Sequence, residues 1–229
     1  MKSIVKYYIL IFIVIITACE NREWDNPNDP NRNYFNYGSV YDIDGNRYNT
    51  IQIGYQTWMT ENLRTTKYRD GTAIPNITDE TEWSNLTTGA YCWYNNGIMN
   101  KAFHGALYNW YAVNTGKLCP EGWHVPTQSE WVILSDCLGG HEKAGYKMKC
   151  NDLYKTFGSG SNSGFDAHLS GTRFFNGDFN QINNDTYWWS STESHTESAI
   201  FVQITDLESI LNISNTYKKF GFSIRCIKD

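Results

Sequence analysis

The sequence predicts an α+β domain of two helices and a late run of antiparallel strands, and three observations carry that expectation. The first is the central stretch Cys119-Pro-Glu-Gly-Trp-His-Val-Pro-Thr-Gln-Ser-Glu-Trp131, in which Thr127 and Glu130 stand as the two halves of a capping box. The second is Asp44-Gly45-Asn46, a turn signal set between two strand-like runs. The third is alternation near the end of the chain, clearest in Ile200, Val202 and Ile204 and again in Phe222, Ile224 and Cys226.

The chain opens on an address rather than on the fold. Lys2 and Lys6 form a basic start, Ile9 to Ile16 form an apolar run, and Ile16-Thr-Ala-Cys19 follows as a lipobox. Residues 1–18 are thus expected to be a lipoprotein signal peptide and Cys19 the acylated residue. Each buried acyl methylene contributes about 0.8 kcal/mol, so lipid alone can hold a domain at a membrane. Residues 19–37 are Asn/Asp-rich and broken by Pro27 and Pro30, which reads as a tether; Asp25, Asn28 and Asp29 are solvated turn formers rather than calcium ligands. One domain is expected over 38–229. Loss of Lys2 and Lys6 with the leader leaves 17 Lys and Arg against 24 Asp and Glu, moving the formal charge from −5 to −7. That balance argues against a nucleic-acid partner.

Within the domain, Ser39 to Asp42 and Tyr48 to Ile53 are expected to form a hairpin, with Gly54 to Leu63 continuing as a turn and strand. Asp42, Asp44 and Asn46 imitate the start of an EF-hand, but Ile53 stands where the bidentate acid is required. Ala106, Leu107, Trp110, Tyr111 and Val113 make one apolar helical face, ended by Asn114 to Gly116. The second helix starts at Thr127, buries Trp131, Leu134, Cys137 and Leu138, and stops at Gly139-Gly140. The run Gly158 to Gly164 lacks both the phosphate-loop and the nucleophile-elbow order and reads as a loop. Strands are expected at His168 to Phe175, Tyr187 to Thr192, Ala199 to Ile204, Ile210 to Ser214 and Phe222 to Ile227.

With Cys19 assigned to lipid, five cysteines remain, so at least one stays free or pairs elsewhere. A Cys119–Cys226 bridge would tie the central stretch to the last strand, worth about 4 to 5 kcal/mol in the chain-entropy model. Cys137 and Cys150 are a second candidate pair. Cys92, between Tyr91 and Trp93, is expected as a buried thiol.

Six ordered motifs carry a resemblance: Gly54-Tyr-Gln-Thr-Trp-Met-Thr-Glu-Asn-Leu63, Tyr91-Cys-Trp-Tyr-Asn-Asn96, Gly105-Ala-Leu-Tyr-Asn-Trp-Tyr-Ala-Val113, Cys119-Pro-Glu-Gly-Trp-His-Val-Pro-Thr127, Trp188-Trp-Ser-Ser-Thr192 and Gly221-Phe-Ser-Ile-Arg-Cys226. Together they resemble the Fibrobacter succinogenes major paralogous (FISUMP) domain family, which implies a surface or secreted protein, often a lipoprotein. Val125-Pro-Thr-Gln-Ser-Glu-Trp131 and the closing Gly221-Phe-Ser-Ile-Arg225 are more distantly similar to formylglycine-generating-enzyme-like domains. That likeness implies a C-type-lectin-like fold, two helices packed on twisted antiparallel strands with long loops on one side.

Function is less legible. A formylglycine-type copper oxidase needs paired thiolates in its site, and the closing strand has only Cys226. The five His residues form no short-range metal pattern, and His124 beside Trp123 reads as structural; no metal ligand and no cofactor is assigned. Glu121 and Glu130 do not read as a catalytic pair, because Glu130 caps a helix. The sugar-binding tripeptides of calcium-dependent lectins do not occur. The expected function is a non-catalytic binding or adhesion module, lipid-anchored at the outer membrane or cell surface, with a glycan or a surface protein as partner. Candidate contact residues are Trp188 and Trp189 as a stacking platform, of which alternation turns one inward, with Asn184, Asp185 and Glu193 for hydroxyls. Arg173 and Arg225 are expected to satisfy buried carbonyls. The competing readings are a structural surface or appendage component with protein partners only, and the copper oxidase.

Overall fold

The computed structural model describes residues 37–150 and 163–229. The expected leader, the Cys19 anchor and the tether up to residue 36 lie outside the described residues, as does most of the Gly158 to Gly164 run. Tyr37, assigned to the tether from sequence, is the first residue of strand β1 (Tyr37–Tyr41).

β1 pairs with β2 (Arg47–Ile53), and β2 with β3 (Gln56–Met59), in an antiparallel meander. The Asp42 carboxylate accepts the backbone N–H groups of Asp44 and Asn46 at 3.0 and 2.9 Å and the Tyr48 hydroxyl at 2.6 Å. Asp44 reaches the other way, accepting the N–H of Thr66 at 2.6 Å and its hydroxyl at 2.8 Å. Both acids are spent on fixing the hairpin and docking the next loop, in the manner of Asx turns.

The helix expected across Ala106 to Val113 is not one helix. After α1 (Glu80–Ser84), β4 (Tyr91–Cys92) and α2 (Lys101–His104), the chain forms β5 (Leu107–Tyr108) and then a single turn, α3 (Trp110–Val113). Asn109 breaks the run. Its side-chain oxygen accepts the N–H groups of Ala112 and Ala90 at 3.1 and 3.0 Å, and its amide donates to the Thr88 carbonyl at 2.8 Å. A buried asparagine with three such bonds caps the turn from outside, and Tyr108 is left to exchange backbone bonds with Phe222 at 2.9 and 3.0 Å. Apolar periodicity is right about burial there and wrong about conformation.

The central stretch behaves as expected. After β6 (Trp123–His124), α4 (Gln128–Cys137) starts at a complete capping box, with Thr127 N–H donating to Glu130 Oε2 at 2.7 Å and Glu130 N–H donating to Thr127 Oγ1 at 3.3 Å. Gly139 and Gly140 take φ of 98° and 89° and end it. Gly140 also opens a helix not expected from sequence, α5 (His141–Met148). Its sequence looks polar, but Ala144, Gly145 and Met148 are buried, and a Cβ on Gly145 would stand 2.3 Å from the Ile210 carbonyl oxygen. The pair of helices is therefore α4 and α5.

The strands that follow are β7 (Ser170–Arg173), β8 (Phe179–Ile182), β9 (Asp185–His195), β10 (Ser198–Thr205), β11 (Asn212–Tyr217) and β12 (Ile227–Lys228). Among the described residues they complete two five-stranded sheets, β1-β2-β3-β12-β6 and β11-β10-β9-β7-β8, beside the small pair β4-β5. β8 is an addition to the expected set, and β7 meets β9 in parallel at Gly171 and Thr186 rather than antiparallel. The expected strand Phe222 to Ile227 is mostly a seam between the sheets: Arg173 and Gly221 bond each other, Trp189 donates to Ser223, Leu63 to Ile224 and Met59 to Cys226. Residues 221–227 are all buried as a result.

α4 and α5 pack where the two sheets converge. Trp131 on α4 lies 4.8 Å from Trp58 of β3 and 5.7 Å from Trp188 of β9, so one indole links both sheets. Cys119 and Cys226 form a disulfide that fastens the approach to β6 onto the seam. No helix among the described residues is long and apolar enough to cross a membrane. The architecture is α+β and mostly β-sheet.

Candidate functional site

The stacking platform expected at Trp188 and Trp189 is not on the surface. Alternation along β9 puts the two indoles on opposite faces, but both faces are covered, and each ring is fully buried. Trp188 Nε1 donates to Asn62 Oδ1 and Trp189 Nε1 to the Tyr108 carbonyl, each at 2.8 Å. The polar residues proposed to accompany them do not converge either. Asn184 and Asp185 stand at the start of β9 and Glu193 near its end, roughly 25 Å apart at about 3.3 Å per residue. Asp185 accepts the Tyr187 hydroxyl at 2.8 Å, and Glu193 pairs with the buried Lys218 ammonium.

Cys150 is a buried thiol rather than half of a bridge, so the candidate pair Cys137 and Cys150 is not formed. Cys137 lies in the last turn of α4, and α5 intervenes and delivers Cys150 to His168 instead. Cys92 is a buried thiol as expected, with burial pushing it up to about 12 against the opposing effect of Arg173. His124 is structural: its Nδ1 lies 2.6 Å from Asp229 Oδ1 and its Nε2 2.8 Å from Glu130 Oε1. Arg173 and Arg225, both fully buried, do serve carbonyls. Arg225 donates to Met59 and Phe165 at 3.1 and 2.6 Å, and burial brings it down to about 10.

Two places stand out instead. The first is an exposed aromatic ledge at one end of the sheet containing β9. A chain of rings leads outward from the buried Phe222 to Phe220 at 5.4 Å, and from Phe220 to Phe175 at 5.6 Å. Phe175 then meets Tyr217, the last residue of β11, at 5.7 Å. Phe175 is 47% exposed and Tyr217 58%. Arg173 makes the tip rigid from below, its Nε donating to Gly177 at 2.9 Å and its guanidinium to Ile77, Thr78 and Asp79 at 2.6, 3.0 and 3.2 Å. Gly177 has φ of 99°, and a Cβ there would stand 2.6 Å from the Glu80 Cα. Asn176 and Asp178, exposed in the turn that follows Phe175, bond each other at 2.7 Å. The signal for this ledge was Phe174-Phe175 running into Asn176-Gly177, two aromatics ahead of a turn.

The second is a mixed cluster where α5 ends. Lys149 and Ala167 form a parallel bridge, with Cys150 N–H donating to Ala167 at 3.1 Å and Ala167 N–H to Met148 at 2.8 Å. That bridge sets Cys150 Sγ 3.7 Å from His168 Nδ1, and the ligand atoms of Cys150, Asp166 and His168 all lie within 4.8 Å of one another. Asp166 takes φ of 57° between the fully buried Phe165 and Ala167, which turns its carboxylate outward. Phe103 covers the His168 ring at 4.1 Å, and burial together with His168 lowers the neighbouring His104. Nothing in the local sequence announces this cluster, because a backbone bridge between distant segments assembles it.

A family model described as the Fibrobacter succinogenes major domain matches residues 51–228. Neither the curated proteins nor the solved structures contain a match to this chain. The matched span contains the two sheets' shared seam, the capped helix α4, the Cys119–Cys226 bridge and both surface features described above, and the chain belongs to the Fibrobacter succinogenes major domain family.

Proposed function

We propose that this chain is a non-catalytic binding or adhesion module, carried to the outer membrane or cell surface and held there by lipid on Cys19. The observation that carries the reading is the ledge of Phe175, Tyr217 and Phe220. Exposed rings on a rigid turn, flanked by Asn176 and Asp178, combine an apolar platform with a few polar groups, which is how a sugar ring is held by stacking. A glycan is the ligand that this chemistry fits best. The domain is C-type-lectin-like in this reading, a view supported by β12 returning beside β3 and by α4 and α5 sharing one core cluster with residues of both sheets. Formylglycine-type oxidation fits less well, since Cys226 is in a disulfide and the Cys92 thiol is held protonated by burial.

The second reading, a structural surface component with protein partners only, is favoured by β11. It is the last strand of its sheet, and Asn212, Ser214, Asn215 and Tyr217 along it are exposed, so its outer edge suits strand addition by a partner.

A glycan array probed with the detergent-solubilised full chain, with and without calcium, separates the two. Binding that disappears in Phe175→Ala and Tyr217→Ala, with unchanged unfolding midpoints, supports the ledge. Binding indifferent to both substitutions removes the ledge from consideration, and silence across the array leaves the protein-partner reading.

A further inference from the structure

We propose that Cys150, Asp166 and His168 form a binding site for a zinc-like divalent transition-metal ion. The site stands apart from the aromatic ledge, and the inference does not depend on what the ledge binds.

The donor set is the first argument. A thiolate, an imidazole and a carboxylate together suit a borderline-soft ion such as zinc or cobalt, whereas calcium and magnesium select oxygen alone. Geometry is the second. Zinc–sulfur and zinc–nitrogen bonds of about 2.3 and 2.0–2.1 Å at a tetrahedral angle put sulfur and nitrogen about 3.6 Å apart. Cys150 Sγ and His168 Nδ1 are 3.7 Å apart, and the Asp166 carboxylate is within 4.8 Å of both. Small side-chain rotations bring the carboxylate in, since Asp166 is exposed and its backbone is fixed by buried neighbours.

Preorganisation is the third argument. The Lys149 and Ala167 bridge holds two ligands by backbone bonds, so the pair does not have to be collected from flexible chain. Phe103 packs on the His168 ring and restricts its rotation, as outer-shell contacts do at metal sites. The buried Arg225 guanidinium donates to the Phe165 carbonyl next to Asp166, and Asp166 and Cys150 both favour its charged form. Exposure falls from Asp166 through the half-buried His168 to the buried Cys150, giving an ion an entry side and a less polar inner side. The described residues supply three of the four tetrahedral positions.

Cobalt(II) is the probe. The purified full chain, stripped with chelator under anaerobic conditions, is titrated with Co²⁺ and then back-titrated with Zn²⁺. The expected result is stoichiometric uptake with a thiolate-to-cobalt charge-transfer absorption in the near ultraviolet, bleached by zinc and lost in Cys150→Ser. His168→Gln and Asp166→Asn are expected to weaken uptake by at least the about 10-fold that loss of an outer-shell partner alone brings. Cys92→Ser leaves the absorption unchanged. Should Cys150→Ser fail to fold, the exposed Asp166→Asn still decides. Absence of the charge-transfer band in the parent chain, its survival in folded Cys150→Ser, or cobalt affinity unaltered in Asp166→Asn overturns the proposal.

Discussion

The seam and the ledge are built from the same residue types and meet opposite fates. At the seam, Trp58, Trp131, Phe165 and Trp188 pack ring to ring between 4.8 and 6.1 Å and are fully buried. At the ledge, Phe175 and Tyr217 pack at 5.7 Å and remain about half exposed. Ring spacing does not distinguish them; coverage does. Within residues 221–227, Ser223 bonds to β9, and the faces of β9 are covered by Trp131 and Phe165 over Trp188 and by Phe222 of the closing segment over Trp189, so both become interior. The turn after β7 packs Gly177 against Glu80 but leaves Phe175, beside Tyr217, about half exposed. An aromatic-rich chain therefore reveals where its aromatic residues act only once the path of the closing segment is known.

The largest expected effect tests that contrast directly. Trp188→Ala removes a fully buried indole and takes from the Asn62 side-chain oxygen one of its two donors, the other being Arg225, and is expected to destabilise the protein by about 3–5 kcal/mol. Phe175→Ala removes a half-exposed ring and is expected to change stability by about 1 kcal/mol or less. Urea unfolding of both variants measures the difference; similar losses would mean that the ledge is a part of the core and not a presented surface.

Next in size is the covalent tie. Cys119 and Cys226 are separated by 107 residues, and the double substitution to alanine is expected to lower stability by about 2–5 kcal/mol. Because Cys226 lies in the seam, the loss is expected to loosen protection of backbone amides in residues 221–227 before those around Phe175. Hydrogen exchange resolved by residue checks this, and uniform loosening would break the distinction between the two regions.

How far the sequence spoke follows the same division between local and assembled features. Thr127 with Glu130, and Asp42 through Asn46, act over a few residues, and both were legible. Arg173 and Arg225 could be assigned to buried carbonyls because a guanidinium in an uncharged segment has few other roles. α5 was hidden since its buried face is Ala144, Gly145 and Met148, and glycine there answers to Ile210 rather than to helix propensity. Asn109 broke a convincing apolar period through bonds to Thr88 and Ala90, which only tertiary structure supplies. The same holds for the sites. Alternation turns one of Trp188 and Trp189 inward and leaves the other exposed only where one strand face is free, and here neither face is. Cys150 and His168 were kept apart because they are distant in sequence and meet only through the Lys149 and Ala167 bridge.

A smaller effect is expected at α4, whose Trp131 supports the seam from beneath. Thr127→Ala removes the acceptor for Glu130 N–H and one partner of the Glu130 carboxylate, at a cost of about 1 kcal/mol. Thr127→Ser, which keeps the hydroxyl, is expected to restore most of it. Thermal unfolding of the two variants separates a capping role from mere side-chain packing, since a loss shared equally by serine would point to packing of the threonine methyl.

The smallest effect lies at the far end of the seam, where β12 leaves the core and Asp229 reaches His124. Both ring nitrogens of His124 face carboxylates, Asp229 at 2.6 Å and Glu130 at 2.8 Å. A neutral imidazole has one N–H, so one of those contacts would set a lone pair against a carboxylate oxygen; the cation donates to both. Burial lowers the pKa of His124, but its hydrogen bonds to Asp229 and Glu130 and the charges of both outweigh burial and raise it. A raised folded-state pKa gives a stabilising contribution that is complete below the unfolded value of about 6.5 and disappears as pH rises through the folded value. His124→Gln is therefore expected to be most destabilising relative to the parent at about pH 5–6 and progressively less so towards pH 9. The ring is about one-third exposed, so added salt is expected to shrink the difference. Parallel denaturation curves across that range decide the matter. A difference that is flat with pH would mean that folding does not raise the His124 pKa, and that its contacts to Asp229 and Glu130 add no charge-dependent stability.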